Sequence, residues 1–99
     1  MNIQNYINTI AKCSKPADGV TRLPFTNEHK NANQLLKKWM VDAGLKVSLD
    51  AAGTLIGKYI SPNKNSKTLL IGSHQDSGYN SGKYDGIMGI ILPIIALKE

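Results

Sequence analysis

Apolar spacing divides this chain into short elements of different period. Ile3, Tyr6, Ile7, Ile10 and Ala11 recur at helical intervals, which predicts a first helix over residues 2–13. The stretch "SKPADGVTRLPFTNEH" carries two prolines and a glycine and reads as an irregular loop. A second helix is expected to start at Thr26, a suitable N-cap, and to run to Ala43. Ala32, Leu35, Leu36, Trp39, Met40 and Ala43 fall on one stripe of it, and Gly44 is placed to end it. "LKVSLD" and "TLIGKYI" are short strands joined by "AAG", and "SPNKNSK" is a polar turn. "TLLIGSH", residues 68–74, is apolar enough to be a central strand buried on both faces. After a glycine-rich loop, "DGIMGIILPIIALKE" is apolar all round, which predicts a buried helix. Pro93 should kink that helix, or lie where its backbone hydrogen bond is already missing.

Helices, a hairpin, a buried strand, a loop and a buried helix make an α/β plan, a mixed sheet with flanking helices. At 99 residues the chain is one domain or less. Its 41% hydrophobic and 19% charged residues describe a globular protein, not a disordered one. The net charge of +5 raises the question of nucleic acid. The basic residues are scattered, however, and only Lys37 and Lys38 are adjacent, so a solvated basic surface is the better reading. The longest uncharged apolar run, Ile87 to Leu97, falls well short of the roughly 20 residues of a membrane span. Neither nucleic acid nor membrane is an expected partner. The N-terminus shows no basic segment followed by an apolar core, so no secretory signal is expected. The single Cys13 suits a reducing compartment, and a cytoplasmic location is expected.

Candidate chemistry gathers in "GSHQDSGYNSGKYDG", residues 72–86. His74 closes the apolar strand, and α/β sheets place ligands beyond the carboxyl ends of their central strands. Neutral imidazole is the commonest protein metal ligand, and it binds best when its other nitrogen is held by a carboxylate. Asp76 lies on the same side of an extended chain and is placed to do this. Asp85, just before the helix, offers two oxygens for a metal pair, and two ions about 3.5–4 Å apart can act together on water and carbonyl. Gly78, Gly82 and Gly86 would let the loop fold back far enough to bring Asp85 to His74. On residue types alone the plainer alternative stays open: a hydrogen-bonded histidine at a strand end and an aspartate capping a helix.

"GSHQDSGYNSGKYDGIMGI" resembles the metal-site signature of the N-carbamoyl-L-amino-acid hydrolase and allantoate amidohydrolase family, within the two-zinc aminoacylase and carboxypeptidase superfamily. "GVTRLPFTNEH", "LKKWMVDAGLKVSLDAAGTLIGKY" and "LLIGSH" follow in the same order as in that family. The chain departs from the family pattern at Gly78–Tyr79, Ser81 and Thr54, around the loop rather than at the ligand positions. The resemblance implies a zinc-aminopeptidase-like catalytic domain and hydrolysis of carbon–nitrogen bonds in linear ureido or amide substrates. It implies two divalent metal ions, zinc or else manganese or cobalt, with His74 as a terminal ligand and Asp85 as the bridging carboxylate. Asp76 would be the catalytic-site residue that orients His74. Full-length relatives would be homodimers acting on small molecules.

The same resemblance implies that residues 1–99 are the N-terminal portion of a longer catalytic domain. Glu99 would then precede the general base, the remaining ligands and the substrate-holding groups, leaving the metal site incomplete. A non-catalytic truncation of such an enzyme, or a related metallopeptidase or aminoacylase, is the alternative. Elsewhere, Trp39 and Met40 are read as core, Arg22 and His29 as structural or surface groups, and Cys13 as a small buried apolar residue. Tyr79 and Tyr84 flank the loop and are placed to pack over the site, or else only to cover apolar surface.

Overall fold

The computed structural model describes residues 2–98. Helix α1 spans Ile3–Ala11, and Asn2 caps it by accepting a hydrogen bond from the Asn5 amide. Its buried face is Tyr6, Ile7 and Ile10. Helix α2 spans Asn27–Asp42, and the Thr26 hydroxyl caps it by accepting from the His29 amide. The far end closes as a Schellman motif: Leu45 N donates to Met40 O at 3.0 Å and Gly44 N to Val41 O at 2.9 Å. Gly44 takes φ +87°, the left-handed conformation this closure requires. Both helix ends are where local sequence signals put them.

Strands β1 (Lys46–Leu49) and β2 (Leu55–Lys58) pair antiparallel, with Val47 opposite Gly57 and Leu49 opposite Leu55. Their turn is organised by Asp50, whose carboxylate accepts from the amides of Ala52 and Thr54, both at 2.9 Å. Gly57 permits close packing of the hairpin on α2, since a Cβ there would lie 2.9 Å from both Leu45 Cδ1 and Met40 Sδ.

Helix α3 spans Met88–Lys98 and continues through Pro93, whose missing N–H leaves the Gly89 carbonyl without its intrahelical donor. Ile87, Ile91 and Ile94 join Tyr6, Ile7 and Ile10 of α1 and Ala32, Leu36, Trp39 and Met40 of α2 in one core. Tyr6 and Trp39 meet edge to face with ring centroids 4.8 Å apart. No helix among the described residues is long and apolar enough to cross a membrane.

The α/β class holds, and two findings differ from the sequence reading. Residues 68–74 are extended but pair with no strand among the described residues, and Leu69, Leu70 and Ile71 are 83%, 89% and 60% exposed. A strand is buried on both faces only when neighbours flank it and layers cover it, and the hairpin, the one sheet among the described residues, pairs only with itself. The expected central strand is therefore an open segment here. Likewise α3 buries one stripe rather than its whole circumference, because Leu92 and Leu97 face outward.

Candidate metal centre

His74 ends the extended segment, and Asp85 sits in the turn leading to α3. The two converge as the sequence suggested. His74 Nε2 lies 3.7 Å from Asp85 Oδ1, while Nδ1 lies 3.0 Å from the Asp76 main-chain oxygen and 3.3 Å from Asp76 Oδ1. A carbonyl oxygen can only accept, so Nδ1 carries a proton in this contact, and Nε2 is the ring nitrogen turned toward Asp85. A proton on Nε2 or a cation shared with the carboxylate would each satisfy this pair.

This convergence has a local cause. Gly86 adopts φ +75°, and a Cβ there would overlap the His74 carbonyl oxygen and lie 2.5 Å from Cε1 and 2.7 Å from Nδ1 of the ring. Ser73 Oγ donates to Gly86 O at 2.8 Å, tying the start of the helix to the end of the extended segment. Gly86 thus does what was expected of the loop glycines, whereas Gly78 and Gly82 keep ordinary backbone angles. The rest of the loop is folded by Asn80, at φ +54°, which accepts from Gly19 N through its side chain and donates from its amide to Thr21 Oγ1. Val20 and Ser81 form an antiparallel bridge beside it.

Beneath the site lies a polar network that sequence reasoning did not anticipate. Arg22 is 2% exposed and Gln75 8%. The Arg22 guanidinium donates to Gln75 O and Gln75 Oε1, and also to the carbonyls of Ile10 and Cys13. Gln75 Nε2 donates in turn to His29 O and Asn33 Oδ1. Burial pushes the Arg22 guanidinium below its ordinary range, against the opposing influence of Cys13 and Asp76. Burial also lowers His29, partly offset by the Asp76 charge, and raises the Cys13 thiol. Of the two settings read for Arg22, structural or surface, the structure shows the buried one. His29 meets Phe25 at a ring separation of 6.2 Å and contributes its carbonyl rather than its ring to the network. Tyr84 turns its hydroxyl to Gln4 of α1 and Tyr79 is 78% exposed, so Tyr84 is held by α1 and Tyr79 stands largely in solvent. No periodic pattern marks a buried arginine in a loop, which is why Arg22 and Gln75 carried no signal.

The donor set fits part of a divalent-metal site. Ligand atoms about 2.0–2.1 Å from a tetrahedral zinc sit roughly 3.3 Å apart, close to the His74–Asp85 separation. Both side chains are accessible, at 54% and 72%. Among the described residues, however, no group of three or more His, Cys, Asp or Glu side chains comes together to hold a metal, and zinc sites draw three or four protein ligands.

No protein-family model matches the chain. Individual relatives do. The N-carbamoyl-L-amino acid amidohydrolase of Geobacillus stearothermophilus is 47% identical over 77 residues, 78% of this chain and 19% of that protein. The allantoate amidohydrolase of Bacillus subtilis (strain 168) is 35% identical over 99 residues, 99% of this chain and 24% of that protein. The crystal structure of a hydantoinase/carbamoylase family amidase from Burkholderia ambifaria superposes with a TM-score of 0.89 at 28% identity, over 96% of this chain and 24% of that one. The chain spans about a fifth to a quarter of the length of the proteins it matches. By sequence and by fold, it belongs to the N-carbamoyl-L-amino-acid and allantoate amidohydrolases of the hydantoinase/carbamoylase family.

Proposed function

We propose that residues 1–99 supply one side of a two-metal centre in an amidohydrolase that cleaves carbon–nitrogen bonds of linear ureido or amide substrates, such as N-carbamoyl amino acids or allantoate. The observation that carries this is Nε2 of His74 facing the Asp85 carboxylate at 3.7 Å. When bound, divalent ions such as zinc, manganese or cobalt supply Lewis-acid polarisation and lower the pKa of water. The residues of this chain do the holding. His74 would hold a metal through its ring, Asp76 would orient that ring from the Nδ1 side, and Asp85 would offer its carboxylate. Two direct ligands are too few for a tight site, and among the described residues no further acid or base joins them, so turnover needs groups beyond those described. The single cysteine accords with a cytoplasmic setting.

A chimera tests this reading. Residues 1–99 replace the matching segment of the Bacillus subtilis allantoate amidohydrolase, and hydrolysis of allantoate and of N-carbamoyl amino acids is assayed with and without a chelator. Metal-dependent turnover that is lost in His74→Ala and in Asp85→Ala is the expected result. A folded chimera in which those two variants keep full activity would remove both residues from the centre.

A further inference from the structure

Gln75 is the one residue between His74 and Asp76, and it is the only one of the three that is buried. In an extended segment successive side chains point to opposite faces. Whatever holds Gln75 inward therefore turns His74 and Asp76 outward together, onto the side where Asp85 lies. A slip of one residue would bury His74 and expose Gln75. The orientation of the candidate ligand is thus decided at its neighbour.

Arg22 holds that neighbour twice. Its Nε donates at 2.9 Å to the Gln75 main-chain oxygen and at 2.9 Å to the Gln75 side-chain oxygen. Its Nη1 reaches Cys13 O at 2.9 Å and Ile10 O at 3.1 Å, anchoring the guanidinium to the end of α1. The Arg22 main chain continues the clamp, since Ser77 N donates to Arg22 O at 2.8 Å and Arg22 N to Ser77 Oγ at 2.8 Å. Among the described residues no carboxylate lies within ion-pair distance of the guanidinium. A buried cation without a paired anion is costly, and a neutral side chain would fill the same space more cheaply. What the guanidinium adds is a rigid fork of donors reaching acceptors on two separate segments at once, which an ammonium group cannot do.

We infer that Arg22 is a positioning residue for the metal centre: by holding the main chain and side chain of Gln75, it fixes the outward orientation and ring tautomer of His74. This rests on the reading of His74 as a ligand, but its first test does not involve metal. The chain has two histidines, so the His74 ring nitrogens are identified by long-range proton–nitrogen NMR against His29→Gln. At one mildly alkaline pH the wild-type chain should show His74 protonated on Nδ1. Arg22→Lys keeps the charge but loses the fork, and Gln75→Met removes the link while leaving Arg22 in place. Each should shift His74 toward a mixture of tautomers, and each should weaken zinc binding by about 10-fold or more. Ile94→Val, a core change on α3, should alter neither signal.

A folded Arg22→Lys and Gln75→Met with the wild-type ring spectrum would overturn the inference. Should Arg22→Lys not fold, Gln75→Met decides alone. Should neither fold while Ile94→Val does, the pair serves the fold only and the inference falls. A wild-type chain that binds no zinc, but whose ring responds to both variants, leaves the positioning role standing and removes the metal reading instead.

Discussion

His74 meets Asp76 through two oxygens, and the main-chain one is nearer, at 3.0 Å against 3.3 Å for the carboxylate. The carboxylate therefore shares the work of orienting the ring with the main-chain oxygen. Asp76→Ala should lower metal affinity toward the smaller end of the 10–100-fold range typical of orienting partners, about 10-fold. A zinc titration of the chain or of the chimera reads this directly, and an unchanged constant would remove the carboxylate from the site. Gly86 is less forgiving. A methyl group there collides with the His74 ring and forces a non-glycine residue to φ +75°. Gly86→Ala should cost about 1–3 kcal/mol and displace His74 from Asp85. The thermal midpoint and the zinc titration should fall together. The convergence of His74 and Asp85 was legible because a glycine-rich loop and an acid at a helix start are local signals. Arg22 and Gln75 were not legible, because their partners are 53 residues apart in sequence and no short-range pattern announces such a bond.

At the scale of elements, local chemistry governs. α2 starts on Thr26 and ends on Gly44 because capping satisfies amides and carbonyls that the helix itself leaves free. Thr26→Ala should cost about 1 kcal/mol, and Gly44→Ala about 1 kcal/mol. Denaturant unfolding measures both, with little change expected in the dependence on denaturant concentration. The α1 stripe, the α2 stripe and the hairpin all follow from period and turn residues, which act over a few positions. The segment 68–74 shows the limit of that logic. Its composition is that of a buried strand, yet Leu70 is 89% exposed, since burial depends on what lies beside a strand and not on its own residues. The outward-facing Leu92 and Leu97 on α3 report the same dependence.

At the scale of residues 1–99 taken together, these exposed aliphatic residues should govern behaviour in solution. Leu69, Leu70 and Ile71 form an uninterrupted apolar run facing water, of a kind that favours association. The isolated chain should bind the dye ANS and elute as more than a monomer at high concentration. Leu70→Lys should reduce both effects while leaving the thermal midpoint nearly unchanged. A monomeric chain that ignores the dye would show that this surface is too discontinuous to matter. The bridge between Val20 and Ser81, with the bonds from residues 19–22 to residues 75–81, bears on something else: the order in which the chain organises itself. Helices and the hairpin close within a few residues, but this seam joins positions up to 61 apart, and its entropy of closure falls due before any of its contacts can repay it. The loop over residues 75–86 should then be the last part to acquire protection in pulse-labelling hydrogen exchange, and the first to open under mild denaturant.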